Sequence, residues 1–372
     1  MGPQNREKTD RRLGIKMLAS RIFTGHEWLE NKEISVENGR ISAISDGNGA
    51  ASENFLVPGF IDLQIYGGGG ILFSNHQTTE AIQATFDEHH KTGTVGFQIT
   101  LNCSPAESMW KAVEAYPTYT GPGLLGLHLE GPFFNPIRRG AHQEAFVQKP
   151  SLAFLEELIE RTKGIPTYLT IAPEMFSAEE LSLLVDSHIM CSLGHSDATF
   201  EQAMNAIEKG VSRITHLFNA MSQWQSRALG LVGACFQSNA WTSIIADGLH
   251  CDFKSLELAY RLKKGRLFLI TDAVTNDTSG PYSFLAKDGR FTNEAGVLSG
   301  SSLTMMEAIQ NCVQQASIPL EEAVRMATVY PAEVANLSDL GSIEVGKRAC
   351  FVELNPAIEV VQVWYDGKAL LN

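Results

Sequence analysis

Positive charge is in short supply. Against 42 Asp and Glu residues the chain carries 29 Lys and Arg, a formal net charge of −13. Nucleic acid and anionic membrane are both bound through basic surface, so this balance argues against either as a partner. It leaves room for a small anionic substrate held by a few local cations. Cysteine is sparse too: Cys103, Cys191, Cys235, Cys251, Cys312 and Cys350 are scattered, with no Cys-x-x-Cys pair. That spacing argues against a disulfide framework and reads as reduced, buried thiols in a cytoplasmic protein. No stretch approaches the roughly 20 apolar residues of a membrane span, and residues 1–8 lack the apolar core of a signal peptide. Residues 1–12 read as a polar, frayed tail. A phosphate loop of the dinucleotide type is missing as well. Residues 67–70 are four glycines without the Gly-x-Gly-x-x-Gly spacing, so they read as a flexible turn near a site.

What is present is a well-buried globular chain of 372 residues, 44% hydrophobic and 19% charged. Short strand-like pieces at 34–37 and 40–44 flank Asn38-Gly39, the strongest short hairpin signal. Similar pieces at 343–346, 350–354 and 360–365 close the chain. Both ends, 13–57 and 341–372, are therefore expected to build one small β domain. Between them, over 58–340, eight apolar runs (60–66, 95–101, 124–130, 167–172, 189–195, 211–216, 241–247 and 267–272) alternate with helical spacing at 152–161, 178–185, 200–207 and 256–262. Strand–helix alternation means a parallel sheet, and eight units fit a closed (β/α)₈ barrel of the TIM type. An open, doubly wound sheet is the alternative, disfavoured by the missing phosphate loop. The sixth unit is the least regular, because a long irregular stretch follows His216.

The ends of the runs carry the chemistry. Leu125-Gly126-Leu127-His128-Leu129-Glu130-Gly131-Pro132 is a buried strand stopping at a carboxylate, with a structure-breaking pair behind it. Gln64, His195, His216, His250 and Asp272 occupy comparable positions, and barrel enzymes assemble their sites from the C-terminal ends of several strands. Glu130, His195 and His216 form a carboxylate-plus-two-imidazole set typical of catalytic zinc with one position left for water. A lone His in such a place is more often structural; three ligand types at three strand ends reverse that reading. His128, one pleat before Glu130, reads as a packing or supporting residue. Asp272 reads either as a proton-transfer group or as a helix N-cap. Arg227 and His250 read equally as a phosphate- or carboxylate-binding pair and as a solvated Arg and a capping His. His142 follows the Glu130 strand closely enough to reach over the same pocket.

Seven motifs together resemble the N-acetylglucosamine-6-phosphate deacetylases of the amidohydrolase superfamily. They are Pro58-Gly59-Phe60-Ile61-Asp62-Leu63-Gln64, Gly126 to Pro132, Ser192-Leu193-Gly194-His195-Ser196-Asp197-Ala198-Thr199, Thr215-His216-Leu217-Phe218-Asn219-Ala220-Met221, Ile245 to His250, Thr271-Asp272-Ala273 and Leu298-Ser299-Gly300-Ser301-Ser302-Leu303-Thr304-Met305. The resemblance runs from about residue 13 to the C-terminus. It implies one divalent metal per chain, zinc or iron, on Glu130, His195 and His216, with His142 polarising the acetyl carbonyl. It further implies Asp272 as general base and then general acid. Asn219, Ala220, Arg227 and His250 would hold a sugar phosphate, one of them reaching across a homodimer interface. Ala141 and Leu298-Ser299-Gly300 would line the sugar site through their backbone. A barrel with a small β-sandwich is the implied fold.

One departure stands out. Many amidohydrolases follow Pro-Gly-Phe-Ile-Asp with His-x-His, which holds a second metal, whereas this chain has Gln64-Ile65-Tyr66. An amide and a phenol are poor substitutes for two imidazoles, so a mononuclear site is expected. Tyr66 also stands where a small polar residue is expected. The expected reaction is hydrolysis of the acetamido group of N-acetylglucosamine 6-phosphate in amino-sugar catabolism or recycling. The alternatives are N-acetylgalactosamine 6-phosphate or another N-acyl substrate, and a non-catalytic sugar-phosphate binder.

Overall fold

The computed structural model describes residues 15–48, 52–287, 290–293 and 296–371; the tail expected over residues 1–12 lies outside them. All eight expected strands form, as Phe60–Ile65, Thr94–Leu101, Leu124–Glu130, Thr167–Ile171, Met190–Leu193, Arg213–Ile214, Trp241–Ile244 and Leu267–Leu269. They lie side by side in chain order in one parallel sheet. The first and last meet through a bridge between Ile65 and Ala273, supported by hydrogen bonds from the Asp272 amide to the Gln64 carbonyl and from the Thr271 hydroxyl to Asp62. The result is a (β/α)₈ barrel. Helices Leu152–Arg161 and Ala178–Val185 fall where their apolar spacing predicts, each opened by a Ser N-cap.

Residues on the two faces of a barrel strand have different surroundings. Along Thr94–Leu101, Val95, Phe97, Ile99 and Leu101 alternate with Thr94, Gln98 and Thr100, and all are buried, as expected for parallel strands covered on both sides. Part of the interior is a hydrogen-bonded column: His128 Nε2 to Thr170 Oγ1 (2.8 Å), Thr170 to Thr215 (2.9 Å) and Thr215 to Ser192 (2.7 Å). A buried polar chain of this kind is stable only because each member has a partner.

The seventh strand ends at Ile244, three residues short of the apolar run that announces it. The fifth, sixth and eighth also stop two or three residues short, and for these three one cause is visible. The cause is local: His195 (φ 49°), His216 (φ 35°) and Asp272 (φ 56°) adopt left-handed backbone, which leaves the ladder and re-aims each side chain at the rim. The sixth strand keeps only two residues, and helix Gly230–Gln237 follows its irregular stretch.

Strands from both chain ends share a seven-stranded sheet, ordered Lys368–Ala369, Val360–Tyr365, Phe351–Leu354, Phe55–Pro58, Ile15–Phe23, Trp28–Glu37 and Arg40–Asp46. It bridges back on itself between Arg40 and Arg348 and encloses Met17, Ile22, Ile34, Val36, Ile41, Leu56 and Phe351, a small β-sandwich beside the barrel. The hairpin turn is where the sequence puts it, with Asn38 and Gly39 both at positive φ as a type I′ turn requires. One expected strand does not form. Residues 343–346 make a turn instead, pinned by the Ile343 amide to the Thr24 carbonyl and the Gly346 amide to the Ile41 carbonyl, with Gly346 at φ 92°.

Candidate active site

Glu130 is the last residue of the third strand, and the chain leaves it through Gly131 at φ 91°. A Cβ on Gly131 would lie 3.0 Å from the Phe134 ring, so the turn behind the carboxylate requires glycine. Glu130 Oε1 is 3.3 Å from His195 Nε2 and 3.2 Å from His216 Nε2, and those two nitrogens are 3.0 Å apart. His195 Nδ1 donates to the Arg138 carbonyl at 2.9 Å, so its Nε2 carries a lone pair. A proton on His216 Nε2 can satisfy one of these contacts at a time, whereas a cation among the three atoms satisfies all of them. Among the described residues, Glu130, His195 and His216 are the group whose ligand atoms converge this way, all within 4.8 Å. The donor set, with the imidazole oriented by a backbone carbonyl, fits one divalent metal.

His142 arrives from the loop after Glu130. Its Nδ1 accepts from the Cys103 amide at 3.2 Å, which leaves a proton on Nε2, 3.0 Å from Glu130 Oε2. Burial disfavours charge on Glu130, but the field and hydrogen bond of His142 outweigh it and hold the carboxyl well below its usual range. Burial keeps the His195 imidazole neutral, lowering its pKa to about 4.

Asp272 comes from the far side of the barrel closure. Burial, then the charge of Glu130, raises its pKa above the ordinary carboxylate value. Gln64 Nε2 bridges the two acids, 2.9 Å from Glu130 Oε1 and 2.6 Å from Asp272 Oδ1. Tyr66 joins them through its hydroxyl. Burial, then the charges of Asp272 and Glu130, pushes that phenol upward and keeps it protonated. The 298–300 turn approaches as closely as backbone allows: a Cβ on Gly300 (φ 67°) would lie 2.5 Å from Val274 Cγ1 and 2.9 Å from the Asp272 carbonyl.

Among the residues lining one cavity are Glu130, Ala141, His142, His195, His216, Asn219, Ala220, His250, Asp272, Leu298, Ser299 and Gly300. All of these are site residues that the sequence nominates. Gln64 sits directly behind this wall, buried against the two carboxylates. Asp247 fixes His250: its Oδ2 is 2.6 Å from His250 Nδ1, and its Oδ1 accepts the Leu249 and His250 amides. Burial opposes charge on Asp247, but these bonds prevail and keep its pKa low. Arg227 is the exception. It rides an exposed tight turn closed by Gln225 and Ala228 and does not line the cavity of its own chain.

Sequence reasoning missed three participants. Tyr66 stands out in the sequence as an unexpected residue, but its partners, Glu130, Asp272 and Gln64, are not visible there. Asn102 lines the cavity at the end of the second strand and accepts from the Ser74 hydroxyl at 2.7 Å; its signal was the same as that of Glu130, a polar residue closing an apolar run. Glu174 accepts from Ser196 Oγ, the Asp197 amide and Asn135 Nδ2, tying the loops that follow the third, fourth and fifth strands behind His195. It follows Pro173 in a single 3₁₀ turn, Pro173–Met175, and nothing in its spacing marks it.

A parallel barrel with convergent carboxylate and imidazole ligands and a second carboxylate beside them defines a hydrolase of the metal-site type, and the chain belongs to the amidohydrolase family, whose model matches residues 55–370. Its likenesses include amino-sugar phosphate deacetylases. It is 34% identical to an N-acetylglucosamine-6-phosphate deacetylase of Haemophilus influenzae, over 85% of this chain and 86% of that protein. It is 36% identical to an N-acetylgalactosamine-6-phosphate deacetylase of a Shewanella species, over 85% and 83%. In three dimensions it superposes on the N-acetylglucosamine-6-phosphate deacetylase of Pasteurella multocida with a TM-score of 0.90 at 33% identity, covering 96% of this chain and all of that one.

Proposed function

We propose that the protein removes the acetyl group of N-acetylglucosamine 6-phosphate by hydrolysis, giving glucosamine 6-phosphate and acetate, in amino-sugar catabolism or recycling. The observation that carries this reading is the convergence of Glu130, His195 and His216 with Asp272 and His142 on one cavity floor. Glu130, His195 and His216 would hold one divalent ion per chain, zinc or iron, and that ion would supply Lewis-acid chemistry at the site.

The remaining work belongs to side chains. Asp272 takes the proton of the attacking water and returns it to nitrogen as the C–N bond breaks. His142 offers its Nε2 proton to the acyl oxygen, where negative charge develops. His250, steadied by Asp247, binds the phosphate with Asn219 and Ala220, while Ala141 and residues 298–300 position the sugar through backbone groups. Holding the phosphate fixes where the acetamido group meets the acid–base pair. Arg227 serves the site of a second copy in a homodimer. Its solvent-facing turn supports this, as do the exposed Ile137 (73%), Trp224 (49%) and Leu249 (42%) on loops after the third, sixth and seventh barrel strands.

The working boundaries are a barrel over 58–340 and a β domain from 13–57 and 341–372, supported by a β-domain core that forms a cluster of its own. A reduced, cytoplasmic setting is supported by six buried, unpaired thiols. No helix among the described residues is long and apolar enough to cross a membrane.

The galactosamine epimer is the second reading, favoured by the Shewanella likeness. Acetate release from both epimers, with metal content measured on the same sample, decides between them. The expected result is faster release from the glucosamine derivative, lost on chelation and restored by zinc or iron. No acetate from either sugar with metal restored refutes the proposal and returns the protein to a binding role.

A further inference from the structure

Tyr66 is used by none of the steps above. Its ring is buried in a small cluster with Leu72, Val274, Tyr282, Phe284 and Phe291, and from that anchorage its hydroxyl enters the space between two buried carboxylates. It donates to Glu130 Oε2 at 2.5 Å and lies 3.2 Å from Asp272 Oδ1. A phenol has one proton, and the shorter distance assigns it to Glu130. The hydroxyl oxygen in turn accepts from Gln64 Nε2 at 2.8 Å. That amide has two protons for three acceptors, the others being Glu130 Oε1 and Asp272 Oδ1.

Glu130 Oε2 therefore has two donors, Tyr66 and His142. Oε1 is the oxygen that faces His195 and His216. The functional reading above turns the His142 proton to the substrate's acyl oxygen. At that moment Oε2 keeps one donor, and without it a buried carboxylate oxygen is left unsatisfied and free to swing toward the ligand nitrogens.

We propose that Tyr66 is a positioning residue: its hydroxyl holds Glu130 Oε2 so that Oε1 alone serves as metal ligand and His142 is released to the substrate. With Gln64, the same hydroxyl fills the space between Glu130 and Asp272 in which a second cation would otherwise sit. The inference rests on the functional reading for the part played by His142. The hydroxyl's hold on Glu130 rests on geometry alone.

Two variants test it. Tyr66→Phe keeps the ring in its apolar cluster and removes only the donor. In chelator competition, its zinc affinity should fall by about ten- to a hundred-fold, as expected when a group that orients a ligand is lost. The visible spectrum of the cobalt-substituted protein should change while its far-ultraviolet circular dichroism does not, and kcat should fall with KM nearly unchanged. Unchanged zinc affinity and an unchanged cobalt spectrum overturn the assignment. Gln64→His/Tyr66→His restores two imidazoles at the end of the first strand and should raise the metal content from one ion per chain to two. A content that stays at one overturns the space-filling role, and this variant decides should Tyr66→Phe fail to fold. A wild-type protein that binds zinc but releases no acetate refutes the functional reading and leaves the affinity comparison to decide the hold on Glu130. One that binds no metal overturns both.

Discussion

Acid should weaken the barrel from inside. His128 is enclosed on the third strand, with Nδ1 3.2 Å from the Leu63 carbonyl and Nε2 2.8 Å from Thr170 Oγ1. A carbonyl only accepts, so Nδ1 carries the proton and Nε2 accepts from the Thr170 hydroxyl. Adding a second ring proton would require the hydroxyl column through Thr215 and Ser192 to reverse its direction. Burial lowers the pKa of this imidazole from 6.5 to about 4. The unfolded chain takes up the proton as pH falls through 6.5, and the folded chain resists it until about 4. Stability is therefore complete above about pH 6.5 and lost as pH falls toward 4. Two and a half pH units at about 1.4 kcal/mol each come to about 3.5 kcal/mol in full, of which about 3 kcal/mol is lost by pH 4, a large share of the roughly 5–15 kcal/mol that holds a domain together. Urea unfolding of the wild type and His128→Gln, followed at several pH values between 7 and 4, measures this directly. Both proteins are kept in chelator so that protonation of metal ligands is common to both. The wild type should lose about 3 kcal/mol more than the variant across that range. Parallel stability curves would refute the assignment of a buried, neutral His128.

Three further outcomes follow from the site. Asp272→Asn should retain one metal per chain and lower kcat by roughly 10²–10⁴; near-normal turnover would reject its role in proton transfer. Arg227→Ala should raise KM for the phosphorylated sugar with little change in kcat, and mixing it with Asp272→Asn should return activity at low substrate, because a hybrid dimer pairs an intact Asp272 with the Arg227 of the other copy. Activity that does not return on mixing would place Arg227 outside any shared site. Gly131→Ala, at φ 91° and against the Phe134 ring, should cost roughly 1–3 kcal/mol and lower Tm; an unchanged Tm would show that the turn relaxes.

The barrel was legible because parallel strands covered on both faces read as unbroken apolar runs, and seven intervening segments of suitable length left few topologies open. The site was legible for the same reason: polar residues that close apolar runs lie at one end of a parallel barrel. Strand ends were overestimated where a site residue turns left-handed, since His195, His216 and Asp272 do not announce their φ in their identity. Glu174 and the hydroxyl of Tyr66 were illegible for a different reason. Their contacts join segments distant in the chain, and no spacing within one segment records them. Arg227 shows the converse, a residue whose motif is plain and whose place in its own chain does not reach the cavity.

The sheet shared by the two chain ends bears on how the protein is made. Phe55–Pro58 pairs on one side with Ile15–Phe23 and on the other with Phe351–Leu354, with Pro58 opposite Phe351. On a ribosome the first partner is present at once, and the second emerges after nearly three hundred further residues. Until then one edge of Phe55–Pro58 stands open, with Phe55, Leu56 and Val57 uncovered, the kind of unpaired apolar edge that recruits foreign strands. Synthesis interrupted anywhere within the barrel therefore yields a chain whose first-made strands are adhesive. The final strands act as a closing latch, and premature termination in this protein is a solubility problem before it is a catalytic one.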